Sequence, residues 1–557
     1  MARKREAPFD SEVGLPVIPA FAGTTACPGM AWPLACVSLR PWKRGVSLMN
    51  NRILRVMASA WLLALALVAS PVCAATSEQQ AFVNDLERRT FDWFWDSANP
   101  ANGLVPDHYP GQSFSSIAAV GFGLTAYGVG VERGYITRAQ AAGRTLVTLR
   151  FLDRAPQNAS EDDAAGYHGF FYHFLDMTTG RRFDRAIELS SVDTTLLLGG
   201  VLFAQTYYDR DTPAEREIRA LADRIYRRVD WPWMQARAPL ISMGWTPGGK
   251  FIPSDWKGYD EGMLVYILAL GSPTHPVEPD AWAAWLSTND NTWGTFLGQT
   301  FLNFAPMFGH QYSHVWVDFR GIRDDWNRRH GLDYFENSRR ATLSQRNYAI
   351  ANPGRWTGYG ADVWGLTASN GPGDVVVEQG GRTLRFSGYT ARGAGLDYIA
   401  DDGTLAPTAA GGSIAFAPEI VIPALQTMQQ RYGPWIYNRY GFVDAFNLSF
   451  HARARANTGQ VVPEVGWFDT VQLGIDQGPI VLMIENWRSD FVWKVMRRNP
   501  YIRKGLEQAG FTGGWLCAKP VGAHPVRDQK ACSAGRKPVA HRVGSYTGVS
   551  AATVPSR

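Results

Sequence analysis

Two kinds of apolar segment alternate along the chain. The first is one-sided: in TPAEREIRALADRIYRRV, Ile218, Leu221, Ala222, Ile225, Tyr226 and Val229 recur at helical spacing and form a single stripe. Thr212 stands where an N-cap belongs, Pro213 at the first helical position, and Glu215 where it closes a capping box. TRAQAAGRTLVTLRFL repeats the arrangement, with Thr137 and Gln140 in the cap positions. The second kind has no polar face: Leu189–Tyr208, Glu261–Gly271 and Gly478–Trp487 are apolar nearly all round. Ser116–Val131 adds four glycines, which suit close helix contact.

A helix without a polar face must be enclosed by other helices. Enclosed helices alternating with one-sided ones describe an inner ring wrapped by an outer ring, so the pattern predicts an all-α fold, an α/α toroid. A solenoid is the competing arrangement, but the chain shows no fixed-period repeat. One β-hairpin is predicted as a small insertion, near Val375–Tyr389. With the inner helices running the same way, their N-terminal ends meet at one mouth. The long loops MGWTPGGKFIPSDWKGY and ANPGRWTGYGADVWGLTASNGPGD belong there, and functional residues are expected among them.

Composition narrows the chemistry. The chain has 557 residues, 45% hydrophobic and 19% charged, which predicts a large packed core. The net charge of +5 is small and gathers into no basic tract, so nucleic acid is not an expected partner. The aromatic content is high, 21 Trp, 21 Tyr and 28 Phe. Most of these fill a core, but aromatic faces also stack on the C–H faces of sugars. No cysteine lies between Thr76 and Leu516, which excludes thiol nucleophiles and thiolate metal sites from the body of the protein. No phosphate-binding loop, dinucleotide fingerprint or G-x-S-x-G elbow occurs.

The ends read differently from the middle. From Met49, two arginines, an apolar run and the small-residue segment VCAATS form an export signal, with its apolar stretch too short for a spanning helix. The expected divisions are an upstream extension at 1–48, a signal peptide at 49–75, a catalytic domain at 76–516 and a basic, aperiodic tail at 517–557. A periplasmic or secreted protein with no stable membrane insertion after cleavage is the expectation.

The acids beside inner helices form a short set. Glu188 and Asp193 flank the start of one, Asp260 and Glu261 open the next, and Asp469 and Asp476 precede a third; Glu485 lies inside that helix and Asp176 is in the loop YHGFFYHFLDMTTG. Glycoside cleavage needs two carboxyl groups, one protonated for the leaving oxygen and one to activate water or attack. An acid at a helix start is more commonly an N-cap, and the helix dipole lowers its pKa. For Glu261 to hold a proton, burial beside Trp256 and Tyr259 or the charge of Asp260 must outweigh that effect. His310 and His314 are four apart, but without H-E-x-x-H or a clear third ligand beyond Asp318 they fit hydrogen bonding better than a metal; no metal or cofactor is expected.

Five stretches, GFFYHFLDMTTGRRF, ELSSVDTTLLLGG, YDEGMLVYILALGSPTHP, FGHQYSHVWVDFRGI and GIDQGPIVLMIENWRS, resemble the glucoamylase-like proteins that include bacterial endo-β-1,2-glucanases, glycoside hydrolase family 144. The transglycosylating domain of cyclic β-1,2-glucan synthases is a more distant relative. The resemblance implies an (α/α)6 barrel that cleaves β-1,2-glucan internally, with inversion and without a metal. It implies Glu261 as proton donor, and Asp176, Glu188 and Asp193 as candidates for the opposing carboxylate, with Asp476 the outside choice. Trp245, Tyr389, Trp467, His314 and Arg320 are implied to line substrate subsites, joined by Tyr259 and Asp260 beside the donor. A transglycosylase on the same polymer and a non-catalytic glucan-binding protein are the rival readings.

Overall fold

A computed structural model of the chain describes residues 76–111 and 114–517. The expected extension at 1–48, the signal at 49–75 and the basic tail, Cys517 excepted, lie outside the described residues. Six helices are buried over most of their length: α2 (Ile117–Glu132), α4 (Ser191–Tyr207), α6 (Met263–Gly271), α7 (Tyr312–Trp316), α9 (Pro407–Gly411) and α11 (Gly474–Ser489). Six others keep one face toward water: α1 (Ser77–Ser97), α3 (Arg138–Arg154), α5 (Pro213–Arg227), α8 (Tyr334–Ala351), α10 (Pro418–Ile436) and α12 (Pro500–Gln508).

The buried set closes on itself. α2 packs on α4, α4 on α6, α9 on α11, and α11 returns to α2. Leu264 N in α6 donates to Ser313 Oγ in α7 at 3.2 Å, and Gln311, just before α7, donates to the Ala409 carbonyl of α9 at 2.9 Å. Outside this ring α5 backs α4, α12 backs α6, and α1 lies against α2 and α11. The fold is the (α/α)6 toroid. Glycine sets its tightest contact: a Cβ on Gly121 would lie 2.1 Å from the Leu196 carbonyl oxygen, and one on Gly200 2.1 Å from that of Gly121. No side chain fits at that crossing.

Helix ends follow the cap chemistry with two revisions. Thr137 and Gln140 form the expected capping box. Thr212 accepts from Glu215 N, but the Glu215 carboxylate turns away to Arg138 at 2.8 Å, so that box stays half-made. The ion pair outcompetes the reciprocal bond because charge-assisted hydrogen bonds are the stronger kind. α6 begins at Met263, leaving Glu261 in the turn before it, and α11 begins at Gly474, which takes Asp476 into its first turn.

The β-structure exceeds a single hairpin. The predicted one is present, Val375–Gln379 against Arg382–Phe386, held by a small apolar cluster that includes Trp467 and Phe450. A five-stranded antiparallel sheet also assembles from Gly166–Tyr167, Phe170–Tyr172, Leu189–Ser190, Gly244–Thr246 and Lys250–Phe251. Strands of two or three residues carry no readable alternation, which is why only the longer hairpin was visible in the sequence. Among the described residues no helix is long and apolar enough to cross a membrane.

Candidate active site

The N-terminal ends of four inner helices line one cavity of about 330 Å³. Ser190, Asp193 and Leu196 come from α4 and its cap, Glu261 from the turn before α6, Phe308 and Tyr312 from α7 and its approach, and Ile475 from α11. A neighbouring space of about 530 Å³ is lined by Asp107, His108, Asn370 and Asp469. His173, Tyr389 and Ile475 border both, so the two spaces are lobes of one cleft.

One wall is built by sheet register. His173 N donates to the Glu188 carbonyl at 3.0 Å, which sets the two side chains next to each other. His173 Nδ1 lies 2.9 Å from Glu188 Oε1, and its Nε2 lies 3.5 Å from Asp193 Oδ1. Ser190, the N-cap of α4, accepts from Asp193 N at 3.1 Å and donates its hydroxyl to Asp193 Oδ2 at 2.5 Å. Burial opposes charge on the imidazole, but Asp193 and Glu188 outweigh it and raise His173 to about 9. Burial raises Asp193, against the pull of His173, while for Glu188 the same imidazole overcomes burial and lowers the carboxyl. His173, Glu188 and Asp193 each offer an atom within 4.8 Å of the others, a spacing open to a cation. Both ring nitrogens face carboxylates, however, which is the arrangement of an imidazolium between two anions.

Glu261 completes this wall. Burial first, then the charges of Asp193 and Asp260, push its carboxyl well above its ordinary value, and His173 offsets only part of the rise. Among the described residues no protein donor binds the Glu261 carboxyl. A carboxyl raised in this way is biased toward its protonated form and can give that proton to a bound oxygen.

The wall of the second lobe has a different makeup. Asn370 donates from its backbone to Asp444 at 2.7 Å and from its side chain to Asp469 at 2.8 Å. Burial and the charge of Asp444 raise Asp469 to about 7. Behind it, Asp444 and Asp476 are buried, and Asp444 Oδ1 and Asp476 Oδ2 find no donor. Burial raises both Asp444 and Asp476, and the charge of Asp444 adds to the rise at Asp476, which biases the pair toward sharing a proton.

Of the sequence candidates, Glu261, Asp193, Glu188 and Tyr389 meet at the cleft. The others are elsewhere. Asp176 caps its own turn, accepting from the backbones of Thr179 and Thr178 and from the Thr179 hydroxyl. Asp260 sits behind the wall, bonded to Gly262 N and Trp285 Nε1, where burial raises it to about 7. Tyr259 stacks on Tyr334 and shares a hydrogen bond with His310. Trp245 is packed against Tyr167 and Trp233, and Trp467 is buried with its Nε1 on the Thr458 carbonyl. His314 is buried against Ser338, and Arg320 pairs with Asp318 and Asp490 over Trp493. Asp476 stands behind the second wall. Packing took Asp260, Tyr259, Trp245, Trp467, His314 and Asp476 into the body of the protein, while Asp176 and Arg320 keep partial exposure away from the cleft.

His173, Asp107, Asn370 and Asp444 were missed. His173 was visible only as a polar residue inside GFFYHFLDM, and nothing in its spacing pairs it with Glu188; strand register does that. Asp444 lies in GFVDAFN, away from the start of any helix.

Residues 253–500 match the family model Glycoamylase ("Putative glucoamylase"). A solved Bacteroides uniformis protein of the same description is 33% identical, with a TM-score of 0.67, and the match covers 79% of this chain and 98% of that one. The endo-β-1,2-glucanase of Chitinophaga pinensis, solved with sophorotriose and glucose, is 29% identical with a TM-score of 0.66, over 79% of this chain and 99% of that one. An exo β-1,2-glucooligosaccharide sophorohydrolase of Parabacteroides distasonis is 28% identical over 466 residues, 78% of this chain. The chain spans 58% of the length of that curated relative.

Proposed function

The chain belongs to the glycoamylase family, and from that premise we propose that it is a glycoside hydrolase cleaving β-1,2-glucan internally by carboxyl acid–base catalysis with inversion. The observation that carries the reading is Glu261: a half-buried carboxyl, raised well above its ordinary value by desolvation, facing a cleft beside two further carboxyl groups. Glu261 protonates the leaving oxygen. The water-activating carboxylate comes from the second lobe, where Asp469 lines the cleft together with Asp107 and Asp444 stands behind it. With a carboxyl raised to about 7, Asp469 is a stronger base than an exposed aspartate and still ionised in half the molecules near neutrality. Tyr389, 57% exposed and bordering both lobes, gives a sugar ring a face to stack on.

The names of the relatives support the polymer: two act on β-1,2-linked glucose chains. Incubation of the purified protein with linear β-1,2-glucan, followed by chromatography and by polarimetry of the new reducing ends, tests the proposal. Short oligosaccharides released with inverted anomeric configuration support it. Rings or lengthened chains would replace it with transglycosylation, and retention on the polymer without products would reduce it to binding. We further propose that the protein works in the periplasm or outside the cell, reached through the signal at 49–75. Fractionation of expressing cells tests this, and enzyme confined to the cytoplasm overturns it.

A further inference from the structure

We propose that His173 is a positioning residue for this reaction: its two ring N–H groups clamp Glu188 and Asp193 as a fixed pair of anions at the junction of the two lobes, in front of Glu261. The inference deepens the reading above and rests on Glu261 as proton donor.

The geometry carries it. A neutral imidazole has one N–H and one lone pair, so it satisfies one carboxylate and turns a lone pair toward a second. Here each nitrogen faces a carboxylate oxygen, at 2.9 Å on Glu188 and 3.5 Å on Asp193, and only the imidazolium suits both. The ring is held from other directions. Its backbone N binds the Glu188 carbonyl and its carbonyl accepts from Ile117 N, while the ring stacks on Phe174 with centroids 3.8 Å apart. The charged groups that face His173 are Glu188, Asp193, Asp107 and Glu261, with Arg182 acting on Glu188 from behind. It is the cation among four acids, and it borders both lobes.

The clamp acts on Glu261 in two opposed ways. Asp193, held as an anion, favours the protonated form of Glu261 before reaction. Once Glu261 has given its proton to the leaving oxygen, the imidazolium faces the new carboxylate and offsets its repulsion from Asp193. Proton donation is thereby made less costly without removing the proton beforehand. Loss of the cation leaves two carboxylates without an anchor, and one of them takes up a proton in the neutral range.

The test uses the full protein with linear β-1,2-glucan as probe. His173→Gln, which keeps one donor, is expected to lower kcat about 30-fold at pH 7 with KM within about 3-fold, and to move the acid limb of the kcat–pH profile upward. His173→Ala is expected to regain at least about tenfold in rate with added imidazole, more at pH 6 than at pH 8, and nothing with sodium chloride of equal ionic strength. A loss that is equal at all pH values and unmoved by imidazole would overturn the clamp, as would a variant of unchanged rate. Independently of catalysis, ¹⁵N NMR of the unaltered protein should show both His173 nitrogens protonated at pH 7. A neutral tautomer there refutes the inference even if the enzyme hydrolyses glucan. Doubly protonated nitrogens in a protein without hydrolysis would sustain the clamp while removing the proposed reaction.

Discussion

On one wall of the cleft an imidazole stands between two carboxyl groups; on the other, three aspartates crowd together and none of them forms an ion pair among the described residues. Both walls are acidic and desolvation acts on the carboxyls of each, yet their proton inventories differ. Where a cation supplies two donors, Glu188 stays below its ordinary value in spite of burial. Where the donors are amide N–H groups, Asp469 rises to about 7 and Asp476 rises well above its ordinary value. Burial alone therefore does not decide whether a carboxyl is charged. The partner decides, and the cleft presents an imidazole between two carboxyl groups beside Glu261 and a cluster of raised carboxyls around Asp469.

The comparison breaks most readily at Glu261. Glu261→Gln keeps the shape and removes the transferable proton, so kcat should fall about 10³-fold, roughly 4 kcal/mol of barrier. Binding of β-1,2-glucan, measured by calorimetry, should change little. A variant near the wild-type rate would remove the donor role from this wall.

The two walls should answer pH with the same sign but in different windows. Asp469 has a folded value of about 7, above that of an unfolded aspartate, so the native state binds the extra proton. Its contribution to stability is complete below about pH 4 and is lost as pH rises to about 7. Asp469→Asn should therefore be the more stable protein above pH 7, by about 4 kcal/mol at most, with the difference vanishing by pH 4. His173 is raised to about 9, so its contribution is complete below about pH 6.5 and is lost as pH rises through 9. His173→Gln should be less stable at pH 6 by about 3 kcal/mol, with the gap closing by pH 9 to 10. Urea unfolding across this range reads both windows, and two variants whose differences from wild type change over the same pH range would collapse the contrast.

Smaller effects sharpen it. Tyr389→Ala should raise KM about tenfold with unchanged stability, because the ring is exposed on the cleft. Asp260→Asn keeps the acceptor for Gly262 and Trp285 and deletes only a charge behind the wall. It should lower the alkaline limb of the rate profile by less than about one unit, and a shift in the other direction would contradict the assigned cause of the Glu261 rise.

Much of the fold was legible because the ring demands it. A helix enclosed by its neighbours has nowhere to keep a polar face, so α2, α4 and α6 announce themselves in runs such as MLVYILALG. Gly121 and Gly200 belong to the same signal, since close crossings exclude a Cβ. Glu261 was legible as an ionisable group abutting such a run, and Glu188 and Asp193 through their place at the start of α4. Trp245, Trp467 and His314 looked equally suited to a sugar site, and packing turned them inward. Aromatic identity says what a side chain can do and not which way it points.

What the sequence determined by itself was periodicity, and with it the two rings, the common mouth and the acids that approach it. Local spacing is a property of a single helix, and burial on all sides writes itself into every residue of that helix. What only the tertiary structure decided was which acids meet a cation and which meet each other. His173 reaches Glu188 through strand register and Asp193 through a cap, and Asp444 reaches Asp476 from a different segment of the chain. Charge state depends on distances between groups far apart in sequence, and no one-dimensional pattern carries those distances.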